Sequence, residues 1–293
     1  MIDFLSQISI EYPDFSILDE HKLILCFFIW LSTALWTSFC GMLVWRLPVI
    51  FNACFTDWTK GRENTETTIM GRSHCDSCHR TLTIIDLIPV VGWIIRKGQC
   101  PVCHHKVSSI WPIMEATTGF IACGFMFLPL PFHNRIILWL LFLWLTLISW
   151  MDDRTEWLPD IFTFPVLFSG LLFSPISFMH SRVEGAIIGW IIMLLAMLYG
   201  CWRQNSWDYL SWGDIILCSA LMAWLGNENI ILFLITTCIC AVIYICYLTI
   251  KEKNGFNTPR TEAGQLRIPF APAMCVASLI CLILIQVYHI SII

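Results

Sequence analysis

The chain has 293 residues, of which 57% are hydrophobic and only 13% charged, and its mean hydropathy is +0.72. An ordinary soluble domain carries roughly twice that charged fraction, so a soluble globular protein is excluded and the apolar excess is expected to face lipid. Seventeen Lys plus Arg against 21 Asp plus Glu give a net charge of −4 with no basic tail or stripe, which argues against capture of nucleic acid.

In chain order, the first 20 residues hold Asp3, Glu11, Asp14, Asp19 and Glu20 where the positive region of a cleavable leader would sit. The first apolar run is therefore expected to remain as a membrane span. Measured against the roughly 20 apolar residues that a span needs, spans are expected near 23–45, 110–130, 136–151, 161–180, 184–202, 214–226, 230–250 and 269–291. The sixth run is short, and two outcomes are open for it: continuation into the preceding segment, or a helix tucked within the bundle. The expected fold class is an all-α polytopic membrane protein of about eight transmembrane helices with one small cytosolic insert. Its division is 1–45 for the N-terminal segment and first span, 46–109 for the insert, and 110–293 for the membrane-embedded remainder.

Basic loops are retained on the cytoplasmic side. With the N-terminus outside, 14 of the 17 Lys and Arg fall in inner loops, leaving only Lys22, Arg135 and Arg182 outside. The inner face then owns the long segment 46–109 and short loops near 152–160, 203–213 and 251–268, and chemistry is to be sought there.

The long inner segment contains Cys75-x-x-Cys78 and Cys100-x-x-Cys103, separated by 21 residues. Each turn presents two thiolates on one side of a tight loop, and two such turns close a four-coordinate structural zinc site with no open position for water. The alternative is a set of reduced surface cysteines; a disulfide pair fits poorly with the reducing cytosol. His74, His79, His104 and His105 crowd the same turns, as neighbours of the site or as a replacement ligand. The other eleven cysteines fall almost all in expected spans and read as small apolar packing residues.

Carboxylates are costly near the membrane core, by about 2.5–3.5 kcal/mol at a span centre. The segment MDDRTEWLPD brings Asp152 and Asp153 to the inner end of the third span and Asp160 to the inner start of the fourth; SWGD brings Asp214 to the inner start of the sixth. Two carboxyls sharing one water separate their titrations into an acid and a base. Such a pair can hydrolyse an amide without a metal. The plainer reading makes these aspartates solvated helix caps, Asp160 after Leu158-Pro159 above all.

Together these residues resemble the prepilin peptidases, the type IV leader peptidases of pilus and type II secretion systems, over about residues 36–276. Ser38-Phe39 through Arg46-Leu47-Pro48 resembles the family's opening segment, Arg72-Ser73-x-Cys75-x-x-Cys78 its first zinc turn, and SSIWPIMEATTG, with Pro112 and Glu115, the stretch after its second turn. In the family one aspartate lies eight positions before the aspartate of an LPD triplet, which here is Asp152 before Asp160; the other closes Gly-x-Gly-Asp, here Ser211-Trp212-Gly213-Asp214. The first Gly is replaced by Ser211, and the family's Lys two positions after the aspartate is Ile216.

The resemblance implies a membrane aspartic endopeptidase of the bacterial inner membrane, with Asp152 and Asp214 catalytic and Cys75, Cys78, Cys100 and Cys103 holding structural zinc. It implies cleavage of a prepilin or pseudopilin leader on the cytoplasmic side, and N-methylation of the new amino terminus with S-adenosylmethionine as donor. Glu115 is a conjectural contributor to that second reaction, and the sequence offers no Gly-rich nucleotide fingerprint for it. Two rival classes remain: a transporter that uses the acids as ion sites, and a membrane-anchored zinc adaptor whose aspartates are caps.

Overall fold

A computed structural model describes residues 21–55, 71–155, 158–204, 211–253 and 269–288. Eight long helices carry the described chain: α1 (Lys22–Phe55), α2 (Ile110–Met126), α3 (Phe132–Thr155), α4 (Asp160–Phe173), α5 (Met179–Gln204), α6 (Trp212–Leu225), α7 (Ile230–Lys253) and α8 (Ala271–Tyr288). Between α1 and α2 lies an insert whose regular pieces are a 3-10 turn (Ile85–Leu87), a short helix (Val91–Ile95) and two isolated bridges, His74 with Thr81 and Gln99 with Lys106. The sequence expectation of an all-α membrane bundle with a small insert holds.

Four helical stretches, Lys22–Leu47, Phe132–Thr155, Met179–Arg203 and Asn227–Ile250, are long and apolar enough to cross a membrane; α2, α4, α6 and α8 are shorter. The ends have local causes. α2 stops at Met126 ahead of Pro129 and Pro131, and α4 stops at Phe173 because Pro175 disfavours a helical conformation at Ser174. Both helices are therefore shorter than the expected spans 110–130 and 161–180. α1 runs the other way, continuing to Phe55 where the apolar run suggested an end at 45.

Helix α6 is the hub. It packs on α4, α5 and α8, and every residue from Gly213 to Leu225 is buried except Ile216, which is half-buried. Its sequence, WGDIILCSALMAWL, is apolar on all sides, the pattern of a helix enclosed by others. At 14 residues it spans about 21 Å, less than the hydrocarbon thickness, so of the two outcomes open for the sixth run the tucked helix is the one found. Small residues allow the approach: a Cβ at Gly185 would stand 2.6 Å from the Met222 carbonyl, and one at Gly189 2.9 Å from Met222 Cγ. Close helix contact through small residues is the usual device where lipid removes the hydrophobic drive for association.

A second cluster joins α1 to α3 through Cys40, Leu43, Val44 and Leu47 against Leu147 and Met151. Thr37 and Thr118 share a hydrogen bond of 2.8 Å between α1 and α2. Because the helices alternate in direction, the end of α3 and the starts of α2, α4, α6 and α8 all lie on the insert's side.

Candidate active site and metal centre

Three chain segments converge at that side. Asp152, in the last turn of α3, is 6% exposed, and its Oδ2 accepts the backbone N–H of Ala271, the first residue of α8, at 2.9 Å. Asp214, in the first turn of α6, is also 6% exposed. Its Oδ2 accepts the Ser211 backbone N–H at 3.1 Å, the return half of a capping box, while its buried Oδ1 has no hydrogen-bond partner among the described residues. Capping thus explains one oxygen of Asp214 and leaves the other unexplained. A buried carboxylate oxygen without a donor is costly, and such a group has its lone pairs available to a water or a substrate amide. The thiol of Cys275, buried on α8, lies within electrostatic range of both Asp152 and Asp214.

The other two aspartates behave differently. Asp153 is exposed and accepts the Tyr244 hydroxyl from α7. Asp160 is exposed at the first position of α4, one residue inside the expected cap, with Pro159 before it; there its charge suits the helix dipole.

The glycine of the Gly-Asp pair has a steric cause. A Cβ on Gly213 would lie 2.5 Å from the Leu158 carbonyl and 2.7 Å from Leu158 Cβ. Only a bare Cα lets the LPD segment cross the start of α6, and that crossing fixes the level of Asp214 in the bundle.

In the insert, the Sγ atoms of Cys75, Cys78, Cys100 and Cys103 lie within 4.8 Å of one another, an arrangement able to hold a metal ion. Cys75 and Cys103 are 3.7 Å apart and Cys78 and Cys100 3.9 Å apart. A tetrahedron with metal–sulfur bonds of about 2.3 Å has edges of about 3.8 Å, so the donor set fits. The two turns have the same form. Cys75 N–H donates to Arg80 O and Cys100 N–H to His105 O, both at 2.9 Å, and the residue after each second cysteine, His79 (φ 54) and His104 (φ 56), takes the left-handed conformation. His79, His104 and His105 are exposed and His74 is half-buried; among the described residues, no histidine joins the metal-binding group.

Asp86 ties the insert together. Its Oδ2 receives Arg80 at 2.7 Å and the Thr83 N–H and hydroxyl at 2.9 and 2.8 Å, and its Oδ1 receives Arg96 Nε at 2.6 Å. Burial raises the pKa of this carboxyl, but the Thr83 backbone, Arg80, the Thr83 hydroxyl and Arg96 together hold it well below the usual carboxylate range. The sequence contains no short motif that announces this clamp, since its residues are six and ten positions from their partners.

The fold and site define a polytopic membrane protein with two buried carboxylates at one membrane edge beside a four-thiolate insert. Residues 31–128 match the Bacterial Peptidase A24 N-terminal domain, and residues 139–246 match the Type IV leader peptidase family. The chain belongs to the type IV leader peptidase family and is a membrane peptidase by that membership. A prepilin leader peptidase/N-methyltransferase of Klebsiella pneumoniae is 31% identical over 211 residues, covering 68% of this chain and 84% of that protein. The type 4 prepilin-like proteins leader peptide-processing enzyme of Escherichia coli O78:H11 is 28% identical over 250 residues, covering 81% and 86%. A prepilin leader peptidase/N-methyltransferase of Aeromonas salmonicida strain A449 is 26% identical over 260 residues, covering 84% and 86%. No solved structure matches the chain.

Proposed function

We propose that this protein cleaves the leader peptide of type IV prepilins or pseudopilins by a two-aspartate mechanism, with Asp152 and Asp214 as the catalytic pair, at the cytoplasmic edge of the bacterial inner membrane. The observation that carries the reading is that both carboxylates are buried, at the end of α3 and the start of α6, with Asp214 Oδ1 left without a hydrogen-bond partner among the described residues. One carboxylate takes a proton from a water as it attacks the scissile carbonyl, and the other, as the acid, hydrogen-bonds to the developing oxyanion and assists departure of the nitrogen. The substrate's apolar helix lies in the bilayer, so its cleavage point next to the basic leader reaches the membrane edge where the pair sits.

The cysteine cluster holds zinc as a structural ion in this reading, through Cys75, Cys78, Cys100 and Cys103. Closed four-thiolate coordination supplies folding energy to a segment with little core of its own. The relatives' names support a second activity, N-methylation of the new amino terminus with S-adenosylmethionine as donor. The test is leader cleavage of a co-expressed prepilin, read by gel mobility and terminal sequencing. Asp152→Asn and Asp214→Asn at wild-type membrane levels abolish cleavage if the pair is catalytic; full cleavage by either variant sinks the assignment.

A further inference from the structure

Among the eleven cysteines outside the metal-binding turns, Cys26 of α1 and Cys123 of α2 meet across a helix contact. Cys123 Sγ donates to the Cys26 carbonyl at 3.2 Å, and its thiol is within hydrogen-bonding range of the Cys26 thiol. Both are half-buried thiols packed against one cluster, Ile29, Ala122, Phe125, Met126 and Phe142. The helix register brings them together. α1 and α2 run antiparallel, and the Trp30 indole lies on Gly119, where a Cβ would be 2.6 Å from Trp30 Cδ1. Cys26 is four residues before Trp30 and Cys123 four residues after Gly119, about one turn along each helix toward the same end of the bundle.

That end is opposite the insert. Cys26 follows Lys22, the first residue of α1, by four positions, and Cys123 precedes Met126, the last of α2, by three. At 1.5 Å per residue each is about 6 Å or less from its helix end. Leu23, Ile24, Phe27 and Phe28 around it are exposed, so Leu25, Cys26 and Ile29 carry the packing of this end of α1. Compartment decides what such a pair becomes: thiols persist in the reducing cytosol, whereas disulfides form and persist outside it. A bond between Cys26 and Cys123 closes a loop that contains the whole insert, and long loops are where a cross-link constrains the unfolded chain most. From that end α1 runs to the cluster that packs on Leu147 and Met151, next to Asp152.

We propose that Cys26 and Cys123 are joined by a disulfide on the outer side of the membrane, a modification site that clamps α1 to α2 at the end of the bundle opposite the aspartates. This rests on the proposed orientation, with the insert and the aspartates cytoplasmic. The oxidant is a disulfide-bearing thiol oxidoreductase of the periplasm. One cysteine, as thiolate, attacks a sulfur of that donor; a mixed disulfide forms, the donor's S–S bond breaks, and its electron pair stays on the donor's second sulfur. The other cysteine, also as thiolate, attacks the first cysteine's sulfur, forms the bond within the chain and releases the donor's remaining sulfur as a thiolate. The two cysteines lose two electrons, the donor disulfide becomes a dithiol, and the two protons shed by the cysteines are balanced by the two that the donor takes up.

The test is an acid trap of the full chain in bacterial cells, with free thiols blocked by N-ethylmaleimide before digestion with trypsin. Cys26 falls in peptide 23–46 and Cys123 in peptide 107–135. Mass spectrometry is expected to find these two peptides linked in most of the protein, with fragmentation assigning the bond to Cys26 rather than Cys40. Growth with dithiothreitol, which reaches the periplasm, is expected to lower the linked form at least about tenfold. Cys240 and Cys281, which lie within electrostatic range of each other in the middle of α7 and α8, are expected to stay thiols and serve as the internal control. Reduction of the purified wild type is expected to lower its unfolding midpoint by at least about 4 °C, a response that Cys26→Ser with Cys123→Ser abolishes. Recovery of Cys26 and Cys123 as maleimide adducts from untreated cells overturns the proposal, and the trap needs no variant that has to fold. So does a bond through Cys40, equal linkage of Cys240 with Cys281, or a midpoint that reduction of the linked protein leaves unchanged. Alkaline phosphatase fused after Leu128 separates the two readings: activity with unlinked cysteines counts against the disulfide alone, whereas inactivity counts against the orientation as well.

Discussion

Adjacent aspartates on one helix differ by about 100° in direction, so Asp152 and Asp153 cannot share an environment. Asp152 turns to the start of α8 and Asp153 to Tyr244 on α7. Asp153→Asn is therefore expected to keep leader cleavage within about threefold of wild type, while Asp152→Asn and Asp214→Asn lose at least about 100-fold, the lower end of what general acid–base groups contribute. Equal losses in Asp152→Asn and Asp153→Asn would show that charge at the membrane edge, not one positioned carboxyl, matters. Gly213 supplies a second residue-scale test. An added methyl must displace the Leu158 carbonyl that would be 2.5 Å away; overpacking of this kind costs about 1–3 kcal/mol. Gly213→Ala is expected to lower cleavage at least tenfold with the protein still inserted, and wild-type turnover would mean that the LPD segment does not set the level of Asp214. The count of eight positions back from Asp160 pointed to Asp152 in the sequence. The Ala271 N–H that holds it was not legible there, because Ala271 is 119 positions away.

At the scale of elements, spacing was informative where a function is local and silent where it is assembled. The two Cys-x-x-Cys turns were readable because each is a four-residue device; the clamp that fixes them, Asp86 with Arg80 and Arg96, was not. Hydropathy located all eight helices but misjudged the ends of α1, α2 and α4, since helix ends follow prolines and neighbours more than apolarity. Two predictions belong here. Cys75→Ser with Cys100→Ser is expected to remove the bound metal and with it the protection of residues 71–109 from protease, whereas Cys238→Ser, an exposed residue of α7, is expected to change neither; metal content by mass spectrometry decides. Asp86→Asn is expected to lower the unfolding midpoint of the insert by roughly 4 °C or more. For the wild-type clamp the sign follows from its lowered pKa: its contribution is complete above the ordinary carboxylate value of about 3.9 and is lost as pH falls through the lower folded value. An insert in metal-loaded protein whose Asp86 contribution vanishes already at pH 5 would contradict the clamp.

For the whole molecule, orientation decides whether the aspartates meet a cytoplasmic leader. The positive-inside count left Lys22, Arg135 and Arg182 outside, and the structure gives two of them local work. Arg135, 5% exposed, donates Nη1 to the Met126 carbonyl at the end of α2, and Arg182 donates Nε to Ser177 O and Nη1 to Leu171 O at the end of α4. Both satisfy carbonyls that a helix C-terminus leaves open, so these arginines are explained by helix ends and do not weigh against an outer location. Alternation of the eight helices then puts the insert, the end of α3 and the starts of α4, α6 and α8 on one face, which the proposal makes cytoplasmic. Reporter fusions test it along the chain: fusions after Leu128, Ile176 and Gly226 should give active alkaline phosphatase and dark green fluorescent protein, and those after Gln204 and Lys253 the reverse. The opposite pattern throughout would put Asp152 and Asp214 on the outer face and overturn cytoplasmic cleavage while leaving the paired carboxylates intact. A mixed pattern would mean that the short helices α4 and α6 do not cross, since each non-crossing helix inverts every reporter after it. Buried α6 is the sharper case, because its 14 residues cross only as part of the assembled bundle. Gly189→Leu, which wedges α5 away from Met222, is accordingly expected to scramble the reporters after α6 and to spare the one after Leu128.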